Sequence, residues 1–100
     1  LRYIEDSIEI CPISDLSTRY YIRVTVADQA GVLAQLSKIL GELQISIASV
    51  MQKESDPALQ TAELVITTHI SREKDVQEAM RGLQELHLVK QIDNLLRMEE

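Results

Sequence analysis

Six consecutive residues, Asp28-Gln29-Ala30-Gly31-Val32-Leu33, hold the best-placed chemistry in this sequence. They put a short acid, a small residue and a glycine where an alternating segment gives way to a helical one. The first backbone N–H groups of a helix have no partner within it and sit at the positive end of its dipole. Such a turn can hold the carboxylate of a small molecule. Gly31 lets a backbone or a ligand approach closely. The competing reading is structural, with Asp28 capping its own helix. The start of the next strand, Gln44-Ile45-Ser46-Ile47, is expected at the same end of the sheet, where it closes a pocket against the turn. Two copies meeting edge to edge would build that pocket jointly.

No other constellation points to chemistry. His69 and His87 stand in no HxxxH or CxxC arrangement and read as ordinary surface or strand-end residues. Cys11 lacks a basic neighbour in sequence to make it a reactive thiolate. The sequence holds no GxxxxGK[ST] loop and no GxGxxG turn. No catalytic residue and no metal ligand is assigned. An acylphosphatase-like enzyme would need an arginine-bearing phosphate loop, and a turn that opens on Asp28 has the wrong charge. The formal net charge is −6, which disfavours nucleic acid. The central strands offer Val24, Val26, Leu64 and Ile66 rather than aromatics that stack on bases. Tyr20 and Tyr21 are taken as edge packing. Met51, Met80 and Met98 read as core or interface fillers.

The elements around the turn follow from periodicity. Apolar residues make up 45% of the chain, with no Phe or Trp, which suits one small domain with an aliphatic core. Its apolar runs are too short to span a bilayer and no signal peptide is visible, so no membrane association is expected. A single cysteine fits the cytoplasm. Residues 1–18 read as a linker arm from a preceding catalytic domain, with a short strand at Ile8-Glu9-Ile10 and a turn at Asp15-Leu16-Ser17-Thr18. Residues 19–100 read as the domain itself, cut from a longer polypeptide. Tyr20, Ile22, Val24 and Val26 alternate with polar residues, the period of a half-buried strand. Val32, Leu33, Leu36, Ile39, Leu40 and Leu43 fall at helical spacing. A second strand is expected over 45–53, with Ile45, Ile47, Ser49 and Met51 on one face. A loop over 54–58 leads to a third strand over 61–70. Ser71 reads as the cap of a second helix, with Glu73 and Asp75 in its first turn. A fourth strand over 88–98 is interrupted at Asp93-Asn94. The order β-α-β-β-α-β predicts an α+β, ferredoxin-like sandwich. Its four-stranded antiparallel sheet has two helices on one face. The other face carries Tyr21, Ala48, Val50 and Val65 and is left open, the mark of an interface.

In this setting the chain resembles an ACT domain, the amino-acid-sensing module of many biosynthetic enzymes. The resemblance rests on Tyr21-Ile22-Arg23-Val24-Thr25-Val26, the D-x-x-G-V-L turn at 28–33, and Ile45-Ser46-Ile47-Ala48-Ser49-Val50. With Val89-Lys90-Gln91-Ile92, these also resemble the C-terminal region of bacterial homoserine dehydrogenases. The resemblance implies a non-catalytic regulatory domain of a threonine- and methionine-pathway oxidoreductase. It implies a homodimer or higher homo-oligomer that binds threonine or a related amino acid. Carried over, Asp28, Gln29, Ala30, Gly31, Val32 and Leu33 supply backbone N–H groups and a carboxylate edge, and Ser46, Ile47 and Ala48 close the site. Serine at 46 stands where many ACT domains have asparagine. No cofactor is expected here; NAD(P) belongs to the parent enzyme's other domain. The alternative is a purely structural dimerisation module with no effector.

Overall fold

The computed structural model describes residues 15–98. The expected strand at Ile8-Glu9-Ile10 lies outside them. Five strands and two helices follow in order: β1 (Ser17–Ala27), α1 (Val32–Glu42), β2 (Ile47–Asp56), β3 (Thr61–Thr68), β4 (Ser71–Arg72), α2 (Glu73–Glu85) and β5 (Val89–Met98). β1 lies between β3 and β5, and β2 forms an edge beside β3. Every pairing is antiparallel, as a ferredoxin-like sheet requires. The short β4 adds to the start of β1, pairing Ser71 with Thr18 and Arg72 with Ser17.

The alternation of β1 decides where the core lies. Tyr20, Ile22, Val24 and Val26 are all fully buried. Across them pack Leu36 and Leu40 of α1, Val76, Ala79, Met80 and Leu83 of α2, and Ala62, Leu64 and Ile66 of β3. Both helices therefore cover the same face. They approach each other at Gly82, where a Cβ would meet Ile39 Cγ2 at 3.2 Å. Leu33 was expected in the apolar stripe of α1 but is 40% exposed. The stripe instead runs through Val32, Leu36, Ile39, Leu40 and Leu43.

Four local expectations are corrected. Ser17 and Thr18 belong to β1 rather than to a turn, because β4 pairs with them. Ser71 does not cap α2: Arg72 holds that position, and the Ser71 hydroxyl donates to the His69 carbonyl at 3.1 Å. The second strand begins at Ile47, not Ile45, and runs on to Asp56 through the expected loop. Its faces also differ from strict alternation. Pairing shifts between Ile47 and Ser49, leaving Ala48 as an extra residue. Val50 then pairs with the buried Ile66, which turns it to the helix side, while Ser49 and Met51 pair with Thr67 and Val65 on the open side. The open face is thus Tyr21, Met51, Val65, Leu96 and Met98, without Val50. The interruption expected at Asp93-Asn94 is a shift between Arg23 and Val24, with Asp93 accepting a 2.7 Å hydrogen bond from Thr25 Oγ1.

Candidate functional site

The turn after β1 is held by backbone bonds to both neighbours. Ala27 N–H donates to the Leu88 carbonyl at 2.7 Å, and Asp28 N–H to the Gln60 carbonyl at 2.9 Å. Gly31 then takes the N-cap position of α1 with φ 87° and ψ −8°, a left-handed conformation that favours glycine. Asp28 is not the cap, and no side chain caps this helix. Val32 N–H donates to the Gln29 carbonyl at 3.4 Å, and the next N–H groups of the first turn lie beside the exposed Leu33 without a side-chain cap. A Cβ on Gly31 would meet nothing within 4 Å, so the glycine is there for its backbone angle rather than for close approach.

Asp28 and Gln29 line one wall of a cavity of about 500 Å³. The facing walls come from Pro57, Leu59 and Gln60 of the β2–β3 hairpin and from Lys90 of β5. The hairpin is set by Asp56 Oδ1, which accepts the Ala58 and Leu59 N–H groups at 3.0 and 3.2 Å. Gln60 closes it at φ 54°. Lys90 reaches the cavity because the β1–β5 pairing slips there: Thr25 pairs with Gln91 and Val26 with Val89, so Lys90 is the unpaired residue of a bulge. No sequence spacing announced Lys90 or Gln60. Their placement depends on that bulge and on a left-handed residue, neither of which leaves a periodic trace.

Ser46, Ile47 and Ala48 lie elsewhere. The Ser46 carbonyl accepts the His69 N–H at 2.9 Å, and Ile47 pairs with Thr68. Ala27, by contrast, pairs with Thr61, at the opposite end of β3. Seven residue steps along β3 separate the two ends, roughly 24 Å at strand rise. The expectation that both groups share one end of the sheet is therefore corrected within a single chain. β1 and β2 both run antiparallel to β3 and hence parallel to each other, so β2 starts where β1 starts. The turn is at the other end.

A second polar cluster was not foreseen. Glu73, 3% exposed at the start of α2, accepts hydrogen bonds from Tyr20 Oη at 2.5 Å, Gln77 Nε2 at 2.6 Å, and Arg97 Nε and Nη2 at 2.9 Å each. Burial alone would raise the Glu73 pKa, but the bonds from Arg97, Tyr20 and Gln77 and the Arg97 charge together lower it. Burial and the Glu73 carboxylate raise that of the Tyr20 hydroxyl. Tyr20 is thus a core residue with a polar anchor, not edge packing. A tyrosine at an inward position of an alternating strand was the available signal, since a buried phenol needs a partner. The cluster fixes the first strand: Glu73 N–H donates to the Leu16 carbonyl at 2.8 Å, and Thr18 Oγ1 to the Met98 carbonyl at 2.7 Å.

Among the described residues no group of three or more His, Cys, Asp or Glu is placed to hold a metal, and no helix is long and apolar enough to cross a membrane. A homoserine dehydrogenase from Methylobacillus glycogenes is 38% identical over 93 residues, covering 93% of this chain and 23% of that protein. One from Neisseria gonorrhoeae is 33% identical over 90 residues, covering 90% of this chain and 20% of that protein. The crystal structure of a homoserine dehydrogenase from Thiobacillus denitrificans superposes with a TM-score of 0.79 at 29% identity, over 89% of this chain and 19% of that one. The chain thus spans about a fifth of the length of the relatives it matches. The ACT domain model matches residues 20–88, from the first buried tyrosine of β1 to the threshold of β5. With that match on this fold, the chain belongs to the ACT domain family, a regulatory module, and resembles the ACT domain of homoserine dehydrogenase.

Proposed function

We propose that this chain is the regulatory domain of a cytoplasmic homoserine dehydrogenase, pairing with a second copy and binding threonine or a related amino acid. The uncapped start of α1, at the sheet end where the edge strand β2 finishes, carries this reading. β2 is ten residues long, exposed from Ala48 to its end, and among the described residues paired on one side only. Such an edge is a ready template for another chain. Antiparallel pairing of β2 with its own copy lays the start of one β2 beside the end of the other. It thereby carries residues 46–48 of the second copy to the sheet end that bears residues 28–33 of the first. The two halves of the expected effector site, separated within one chain, come together between two.

The site then works by backbone electrostatics. N–H groups of the first turn of α1 donate to the effector's carboxylate at the positive end of the helix dipole. The Ser46 hydroxyl supplies one donor and acceptor from across the joint. Regulation follows if the effector favours one arrangement of the paired domains over another, since without differential affinity it shifts nothing. The parent activity would be NAD(P)-dependent oxidation or reduction, and its nucleotide site is not in this chain. The β1–α1 turn has one glycine and opens on an acid, which does not fit a pyrophosphate.

Calorimetric titration with threonine, serine, isoleucine and methionine tests the sensor, alongside sedimentation analysis of the oligomer. Saturable heat with at least one of them, from a dimer, is expected. Gly31→Val should remove the heat and spare the dimer. A dimer that gives no heat with any of the four at millimolar concentration would leave only a structural module, and a monomer at all concentrations would refute the pairing.

A further inference from the structure

One stretch of chain, from Thr68 to Glu73, is bonded both to the approach of β2 and to the start of β1. The ladder between β1 and β3 ends at Tyr21 and Thr67. Beyond it hydroxyls take over. Thr68 Oγ1 accepts Tyr20 N–H at 3.1 Å and donates to the His69 carbonyl at 2.8 Å. Ser71 Oγ donates to the same carbonyl, and both residues are buried. On one flank His69 N–H donates to the Ser46 carbonyl at 2.9 Å. On the other, Ser71 and Arg72 pair with Thr18 and Ser17, and Glu73 N–H donates to the Leu16 carbonyl at 2.8 Å. The His69 peptide thus joins the two flanks, its N–H on Ser46 and its carbonyl on the hydroxyls that lead to β1.

Little apolar burial holds this stretch down. His69, Ile70 and Arg72 are exposed, and β4 is two residues long. Segments with few buried apolar contacts open locally at a lower free energy than the whole domain. The floor beneath has its own bonds: Tyr20 and Arg97 hold the Glu73 carboxylate, and Thr18 Oγ1 holds the Met98 carbonyl. Lifting residues 69–72 therefore frees Leu16 and Ser17 without unfolding β1.

We propose that residues 68–73 form a strap with two positions, latched between Ser46 and the entry of β1 as in this structure, or lifted, and that occupancy of residues 46–48 latches it. This rests on the regulatory reading only for what occupies those residues. Ser46 is held by His69 in the latched position alone, so a group that needs Ser46 in place binds that position better, which is what coupling requires. Latching then sets the direction in which Leu16 and Ser17 enter the domain.

Native-state hydrogen exchange of the chain tests the strap without a ligand. His69 and Glu73 N–H should show protection factors within about threefold of each other and the same denaturant dependence, at least about tenfold below Ile22 and Ile66 in the paired middle of the sheet. Thr68→Val and Ser71→Ala each remove one hydrogen bond to the His69 carbonyl. Each should lower both protection factors by a common factor, at least about threefold relative to Ile66, and Thr68→Ser should restore them. Ser71→Ala decides alone if Thr68→Val does not fold by circular dichroism. Saturating threonine should raise both at least about tenfold. Independent exchange of His69 and Glu73, or a variant that moves only one of them, overturns the strap. Threonine that binds by calorimetry yet leaves both unchanged overturns the latching while the sensing reading stands. A common opening in a chain that binds no amino acid supports the strap and refutes only the sensing reading.

Discussion

Removing Arg97 should destabilise this chain most at neutral pH and much less in acid. The guanidinium donates two hydrogen bonds of 2.9 Å to Glu73, whose side chain is only 4% exposed. Arg97→Met keeps the aliphatic stem but leaves a buried carboxylate with only Tyr20 and Gln77 as donors. Breaking one side of a fully buried pair costs about 3–5 kcal/mol. The Arg97 side chain is 36% exposed, so water can reach the vacated position, which brings the expectation to roughly 2–3 kcal/mol at pH 7. The pH dependence follows from the proton balance. In the wild type Glu73 titrates below its ordinary value of 4.5 in the folded state. Its contribution is complete above that value and is lost as pH falls through the folded pKa. Without Arg97 the desolvation that raises the Glu73 pKa loses its strongest opponent, and the folded pKa moves upward. That group then opposes folding as pH rises through the new value and ceases to do so once protonated. The difference in stability between variant and wild type should therefore shrink steadily from pH 7 to pH 4. Other carboxylates titrate alike in both proteins and cancel from the difference. Urea unfolding at several pH values reads it directly, with Tyr20→Phe as a control that loses one hydrogen bond, about 1 kcal/mol. A difference that stays constant between pH 7 and pH 4 would refute the electrostatic account and reduce the cluster to packing.

Two further outcomes test local structure. Gln44 ends α1 in the left-handed region at φ 64°, with Gln44 N–H on the Gly41 carbonyl and Ile45 N–H on that of Leu40, the bonding of a Schellman motif. Gln44→Gly should raise stability by about 0.5–1 kcal/mol in denaturant titration, the strain relieved less the added chain entropy; a loss would show that the glutamine side chain contributes there. Leu36→Ala empties a fully buried position between α1 and the sheet and should cost about 3 kcal/mol by the same measurement.

Periodicity made the frame legible. The alternation of Tyr20, Ile22, Val24 and Val26 and the helical spacing of Leu36 and Leu40 each state which side faces inward, and the structure buries all six. What escaped was whatever breaks a period. The bulge at Ala48 reverses the faces of β2, and no propensity marks the residue where a ladder slips. Lys90 reaches the cavity through another such slip. Glu73 looked like a helix-start acid, which it is, but its burial depends on Arg97 arriving from a strand that ends 25 positions later. Asp28 and Gly31 were legible as a turn because their residue types carry the local geometry. Which of them capped the helix was not, since the turn is held by backbone bonds of Ala27 and Asp28 to Leu88 and Gln60, far away in sequence.

The two polar centres divide the molecule by role. The Glu73 cluster sits where β1 begins and binds that strand to α2 and β5, so the first residues of the domain are fixed to its core. The Asp28 turn sits where β1 ends, fixed by backbone bonds, with Asp28, Gln29 and Ala30 exposed. The fully buried inner row of β1 joins the two, and a close-packed interior compresses little, so the strand responds as a rigid body. The proposed effector at the turn would therefore act less by deforming the domain than by choosing how two domains sit together, and the β2 edge is the surface on which the proposed pairing would register that choice. The open face is already partly satisfied within itself, through Arg23 and Glu63, Thr25 and Asp93, and Ser49 and Thr67. Among the described residues the edge has a row of backbone groups with no strand beside it, so the proposed second copy would gain most by pairing there.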